Sequence, residues 1–415
     1  MSKNLLNKIA QQIGRTIEPI VHPDASDRRM REYHAQRALD RLVKGFRQVS
    51  EEVDRLKDRV DRFDHRQVTH LEQAVQSLER STRRQIAFSD RLLRAAHVRR
   101  EQEFLQERAL RRLRSLDRSE KTIIVGPWTG EVGFELLYWV PFVRWVVRKL
   151  GVEPQRLTIV SRGGTASWYG LAGARYVDVL DLRSAPELKA HMAEAKKQRT
   201  MRAFDRQILR EVAASADGRA GVLHPALMYA LYMPFWKQVT SVRWADQYSS
   251  PAQITAPPIS LGLPKDYVAV RFYFSDCFPE TEENRSFVQS VVRRLARDHE
   301  IVLLGSGVQV DDHVDFVAKD ADARVHTIEE HSSPQTNLSV QTAAIAGASA
   351  FIGTYGGFSY LAPLCGVNTV AFYSENNYYS HHLDYAQRMF ATVGGGSLTA
   401  IDSSVRKLVG SAISL

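Results

Sequence analysis

Residues Phe351 to Ser374, FIGTYGGFSYLAPLCGVNTVAFYS, constrain the fold of this chain more than any other stretch. An apolar strand that begins near Ala348 ends at Phe351-Ile352. Thr354 to Phe358 reads as a turn with two adjacent glycines, and Ser359 as the N-cap of a helix from Tyr360 to Leu364. Asn368 to Tyr373 reads as a second buried strand. Such a turn leaves unpaired backbone N–H groups at a helix N-terminus, where partial positive charge gathers. Glycine lets a phosphate approach that backbone. An ordinary strand-to-helix turn also holds glycine, so the rest of the chain has to decide.

Alternation of strands and helices surrounds this segment and argues for parallel sheets in two halves. The first half opens with the strand Lys121 to Gly126. A loop holding Gly130 and Gly133 follows, then a helix from about Phe134 to Leu150 with a break expected at Pro141. Strands are expected at Leu157–Val160, Tyr176–Leu180 and Gly221–Leu223, and helices over Glu187–Lys197 and Arg202–Ala214. Trp236 to Pro258 is loop-rich and holds the expected interdomain linker. The second half opens with the strand Tyr267–Phe272. A helix Asn284–Asp298, strands at Ile301–Leu304 and Val325-His326, and a helix Ser339–Gly347 lead to the glycine-rich segment.

This layout resembles the GT-B glycosyltransferases, the bacterial heptosyltransferase-like enzymes above all. Their donor segment has a small-residue turn, Ser or Gly, an apolar residue, Leu-Ala, then Gly-Val or Gly-Thr and a strand. Gly353, Gly356-Gly357, Leu361-Ala362 and Gly366-Val367 fill those places, and Thr354-Tyr355 stand where an acidic residue is common. The resemblance covers about Lys121 to Leu415. It implies two Rossmann-like domains, the acceptor in the first and a nucleotide-sugar donor in the second. It also implies a catalytic base in the loop after the first strand, in a pattern of Gly-Asp, an apolar run and Pro. Gly130-Glu131-Val132 up to Pro141 is a longer version, so Glu131 matches the base position and Glu135, four residues on, is the other candidate. Either acid could instead serve the helix N-terminus, where negative charge is favourable.

Donor contacts are expected from strand ends, where open parallel sheets bind ligands. Arg271 ends the strand of VAVRFYFSD and suits a diphosphate; a local carboxylate partner is the alternative. Ser275 follows in the loop, and Gly305-Ser306 end the next strand. Thr354, Tyr355, Gly356, Gly357, Phe358 and Ser359 form the turn, and Glu375 beyond the last strand is placed to hold a sugar hydroxyl. Neither His381-His382 nor the run Asp311 to Asp315 has zinc-ligand spacing, so no metal and no cofactor beyond the nucleotide-sugar substrate is expected. No P-loop, no GxGxxG opening a helix and no Gly-x-Ser-x-Gly elbow occurs.

The N-terminal third follows other rules. Leu39, Leu42, Phe46, Val49, Val53, Leu56, Val60 and Phe63 are spaced 3-4-3-4-3-4-3, an a/d seam. It slips by one residue and resumes as Val68, Leu71, Val75 and Leu78, and a less regular seam runs from Leu92 to Leu116. No proline lies between Pro23 and Pro127. A coiled coil over 25–118 is therefore expected, with a homo-oligomer formed through 39–78. Ahead of it, Leu5, Leu6, Ile9, Ile13, Ile17 and Ile20 mark an amphipathic helix over 1–24. Residues 1–20 would meet either a membrane surface or a partner.

The net charge of +9 belongs to this region. Met1 to Arg118 holds 27 Lys and Arg against 18 Asp and Glu, and the rest balances at 29 each. Basic and acidic residues alternate along the helix, which reads as a solvated surface and makes nucleic acid an unlikely partner. No apolar run reaches a membrane span, no signal-peptide core opens the chain, and Cys277 and Cys365 form no framework. A cytoplasmic location, including the inner face of the membrane, is expected.

The expected chain is thus 1–24 amphipathic helix, 25–118 coiled coil, 119–250 acceptor domain and 251–415 donor domain. It would transfer a sugar to a glycan or glycolipid. A nucleotide-sugar epimerase or hydrolase on the same fold is one alternative. A non-catalytic coiled-coil scaffold with a ligand-binding domain is the other.

Overall fold

The computed structural model describes residues 40, 43–45, 47–56, 58, 65–117, 122–194, 197–215, 220–305, 307, 314–316, 323–374 and 380–403. The expected helix over 1–24, the seam residues Leu39, Leu42, Phe46, Val60 and Phe63, and the site residues Ser306 and Glu375 lie outside them. The chain divides into two compact units, Met1–Arg99 and Arg100–Leu415.

In the first unit the described residues are helical throughout. Of the expected seam, Val49, Val53, Leu71, Val75 and Leu78 are half-buried and Leu56 is exposed; outside the seam Val43, Ile86 and Phe88 are exposed, Phe88 by 63%. Helix α1, His65–Asp117, runs 53 residues, and its last turns belong to the second unit. There Ala109, Leu113 and Leu116, spaced 4-3, are buried in the core of that unit, and Gln106 donates to the Tyr248 hydroxyl. This end of the segment expected as coiled coil is a docking stripe on the α/β body.

The second unit holds two parallel sheets. The first begins with β1, Ile123–Val125, wholly buried as a central parallel strand should be. The expected long helix is three pieces: α2, Val132–Phe134; a π-helical turn, Glu135–Trp139; and α3, Val140–Leu150. Pro141 accounts for the break, because it lacks an N–H and its ring crowds the carbonyl four residues back, which the wider turn relieves. Gly151 ends α3 in the left-handed conformation, φ 65°. Then come β2, Leu157–Ser161; α4, Ala166–Tyr169; β3, Arg175–Asp178; α5, Val179–Leu182; α6, Ala185–Glu194; α7, Ala203–Ala214; β4, Gly221–Leu223; α8, Pro225–Trp236; and α9, Val242–Asp246. The strand order is β3-β2-β1-β4, all parallel.

The second sheet comprises β5, Val268–Arg271, then, after the short strand β6, Tyr273–Phe274, and helix α10, Glu282–Asp298, β7, Ile301–Leu303. A strand β8, Val314–Asp315, pairs antiparallel with β6. The remaining elements are β9, Val325–Thr327; α11, Asn337–Ala346; β10, Ala350–Thr354; α12, Gly357–Leu364; β11, Thr369–Tyr373; α13, Ser380–Val393; and β12, Leu398–Asp402. The order β12-β11-β10-β5-β7-β9, all parallel, is that of a doubly wound sheet built from two βαβαβ halves. Two mixed α/β layers with parallel sheets are therefore present. The helix after β10 starts earlier than expected. Its N-cap is Gly356, and Ser359 lies inside the first turn with its Oγ reaching back to the Gly356 amide at 3.0 Å. The tight turn lets Ser359 satisfy that amide from position N3.

The two sheets share one core. Trp168 Nε1 donates to Thr342 Oγ1 at 2.9 Å, and Gln335 Nε2 donates to Leu180 O at 3.1 Å. Helix α8 contributes Tyr229, Tyr232, Phe235 and Trp236 to an aromatic cluster that Tyr385 and His382 of α13 complete. Among the described residues no helix is long and apolar enough to cross a membrane.

Candidate functional site

In a doubly wound sheet the crevice lies where adjacent strands lead off in opposite directions, at their carboxyl ends. In the second sheet β5 and β10 are those strands. β5 ends in Arg271, and β10 leads into Tyr355-Gly356-Gly357. In the first sheet the equivalent place is between β1 and β4, and the loop from Gly126 to Gly133 leaves β1 there. The two crevices meet. A Cβ on Gly357 would lie 2.8 Å from Val132 Cγ1 and 3.0 Å from the Gly133 amide nitrogen. A Cβ on Gly356 would overlap the Tyr273 hydroxyl. Glycine at 357 is thus demanded by close packing between the halves, and at 356 by packing on Tyr273 within the second half.

Around the second crevice the structure gathers most of the expected donor residues. Arg271 stacks its guanidinium 4.3 Å from the centre of the Phe358 ring. It is also committed to the protein: Nη1 donates to Leu304 O at 2.7 Å and to Gln341 Oε1, and Nη2 meets both Asp315 oxygens at 3.0 and 3.3 Å. Leu304 directly precedes Gly305, which has open space on its Cβ side. Thr354 is buried and ties β10 to β6, its Oγ1 donating to Tyr273 O at 2.8 Å and accepting from Tyr273 N at 3.0 Å. The Tyr355 hydroxyl accepts from the Tyr360 hydroxyl at 2.7 Å. Ser275 closes a four-residue turn with Phe278, and its Oγ lies 3.4 Å from Cys277 Sγ, which donates to Tyr355 O. The buried side chains of Thr354, Tyr355, Phe358 and Ser359 shape the turn from within. Burial raises the thiol of Cys277 and pushes that of Cys365 up to about 12, which suits packing rather than nucleophilic roles.

The two candidate acids separate. Glu131 is the N-cap of α2, is partly exposed, and makes no capping hydrogen bond with its side chain. The Tyr229 hydroxyl is held well above its usual range by burial, and the nearby charge of Glu131 adds to that rise. Glu135 is fully enclosed. Its Oε1 accepts from Ser161 Oγ at 2.6 Å and from Tyr169 OH at 2.9 Å, and its Oε2 accepts from Arg162 Nη1 at 2.8 Å. Burial lifts its pKa above the ordinary value, and the Arg162 charge with these hydrogen bonds opposes the rise. Of the two acids, Glu131 is the one with solvent exposure.

Sequence reasoning missed the groups that hold the site together. Arg162 directly follows β2 and precedes Gly163-Gly164, a strand-end position like that of Arg271. Gln198 accepts from the Thr129 amide at 3.0 Å and donates to Pro127 O at 2.9 Å, bracing the loop before Glu131. Lys197 places Nζ 4.5 Å from the centre of the Phe134 ring, close enough to His382 for its charge to disfavour protonation there. Nothing local to the sequence signals Gln198 or Lys197. Among the described residues no group of three or more His, Cys, Asp or Glu is arranged to hold a metal ion.

No protein-family model matches the chain, and no curated protein matches it by sequence. Solved structures show distant likeness. The glycosyl transferase family 9 protein of Veillonella parvula aligns at 14% identity and TM-score 0.37, over 71% of this chain and 90% of that one. ADP-heptose LPS heptosyltransferase II of E. coli aligns at 12% and 0.37, over 67% and 90%. The iron-containing dodecameric glycosyltransferase TibC of enterotoxigenic E. coli H10407 aligns at 13% and 0.35, over 61% of this chain and 58% of that one. This chain thus spans less than two thirds of TibC's length.

Proposed function

We propose that this protein is a glycosyltransferase that takes a sugar from a nucleotide-sugar donor and passes it to a hydroxyl of a glycan or glycolipid. One observation carries the reading: the switch-point crevices of two parallel sheets meet at Gly133 and Gly357, with Glu131 on one side and Arg271 and the α12 N-terminus on the other. In this reading Glu131 takes the proton of the acceptor hydroxyl. The acceptor oxygen forms a bond to the anomeric carbon as the bond from that carbon to the diphosphate oxygen breaks. The electron pair leaves with the nucleoside diphosphate. Its charge is met by Arg271 and the amides of Gly357 and Phe358 rather than by a metal. The helical stretch over 39–78 would hold the enzyme in an oligomer.

A non-catalytic scaffold is favoured by a different observation. Arg271 is already engaged by Asp315, Gln341 and Leu304, and the Gly356 amide by Ser359. Thermal-shift titration with UDP, GDP, ADP, CMP and TDP separates the two. A ligand at about 100 times its Kd stabilises the folded state by about 2.7 kcal/mol. The transferase reading expects one nucleotide to raise the melting temperature selectively, and Glu131→Ala to keep that rise while losing turnover. No rise with any of the five would leave the scaffold.

A further inference from the structure

A run of hydrogen bonds joins the two sides of the crevice and is not used by the chemistry above. Arg162 has a side chain only 5% exposed. Its Nη1 donates to Glu135 Oε2, and its Nη2 donates to the carbonyl of Gly130. Gly130 directly precedes Glu131. The two residues before it are tied as well, Trp128 N–H to Val160 O at 2.9 Å and Thr129 N–H to Gln198 Oε1 at 3.0 Å. Three consecutive residues leading into Glu131 are thereby fixed, two to the end of β2 and one to Gln198.

The next residue, Gly163, looks the other way. Its carbonyl accepts the amides of Leu338 and Ser339, both at 3.0 Å, in the first turn of α11. Its φ is 66°, and a Cβ there would lie 2.9 Å from Leu338 Cγ, so only glycine permits the approach. Gly164 N–H donates to Asp178 Oδ2 at 2.9 Å and holds the loop from below. One turn along, α11 presents Gln341, the acceptor for Arg271 Nη1.

We infer that Arg162 is a positioning residue that sets the Glu131 loop in register with α11, and through Gln341 with Arg271, while Glu135 is the counter-charge that aims its fork. Arginine suits the task because its planar guanidinium donates in two fixed directions to two acceptors. Lysine would keep the charge and reach only one of them. What the register serves rests on the transferase reading; the relay itself does not.

Two measurements on the intact chain test this. Hydrogen exchange should be about 10-fold or more faster in Arg162→Lys at the amides of 128–133 and of 338–341, with both sheets unchanged. Glu135→Gln keeps the side-chain volume and provides the same comparison if Arg162→Lys does not fold. Unchanged exchange at either segment, or an equal rise everywhere, overturns the inference. The second measurement is the pH–rate profile with an established donor and acceptor. Glu135→Gln should lower kcat, move the donor KM by no more than about 2-fold, and keep the acidic limb at its wild-type pH, whereas Glu131→Gln should erase that limb. Loss of the limb in Glu135→Gln would make Glu135 the base and overturn the assignment. If no nucleotide sugar supports turnover, the transferase reading falls and the exchange result alone decides the relay.

Discussion

His382 sits edge-on to Phe134 with ring centres 5.4 Å apart, and its Nδ1 faces the Tyr138 hydroxyl. Burial holds its pKa down to about 3, and the charges of His381 and Lys197 push the same way. An unfolded chain takes up this proton near pH 6.5. Between 6.5 and 3 the unfolded state therefore binds more protons, and stability that is complete above pH 6.5 is lost as the pH falls through that window. Urea unfolding at pH 7 and pH 5 should show a loss on the order of 2 kcal/mol. His382→Gln keeps an acceptor for Tyr138 and should lose visibly less; an equal loss in both would place the titration elsewhere. Residues such as this explain why the site was only half legible. Arg271 stands out from its place at a strand end, but Asp315 and Gln341 reach it from 44 and 70 residues away. Glu131 and Glu135 look equivalent four residues apart in sequence. Only the π turn, with Ser161 and Tyr169 converging on Glu135, sets them apart.

Elements were legible where their hydrophobic period was clean. Most strands of both sheets are short apolar runs between turn signals, and their positions follow closely; the strand expected at Tyr176–Leu180 instead ends at Asp178, which caps α5 at its N-terminus, and β12 was not read from the sequence. Helix α8 gives no such signal, because PALMYALYMPFW is apolar on every side and is buried from several directions. The end of α1 misled in the opposite sense. Its heptad-like spacing continues past Arg99, but Ala109, Leu113 and Leu116 serve a globular core rather than a second helix. Leu113→Ala should therefore destabilise the α/β body by about 2–5 kcal/mol in equilibrium unfolding. A change below about 0.5 kcal/mol would mean that this stripe contributes no packing.

For the molecule as a whole, alternation of strand and helix was enough to read two parallel α/β halves. It was not enough to read how closely they close over each other, because that depends on Gly133, Gly163 and Gly357 meeting partners far away in sequence. If residues 39–78 pair with a second copy, Leu71→Asp combined with Leu78→Asp should reduce the mass found by light scattering of the intact protein to that of one chain. The same double substitution should leave the melting of the α/β body within about 0.5 kcal/mol of wild type. An unchanged mass would assign the seam to another partner. The join between the halves also sets an order of events during synthesis. Trp168 waits for Thr342, and Tyr138 waits for His382, which is 244 residues further along the chain. Until α13 has left the ribosome, the aromatic faces of Phe134, Tyr138 and Phe235 lack their cover, so the first half completes this part of its core only after the second sheet's last helix has been made.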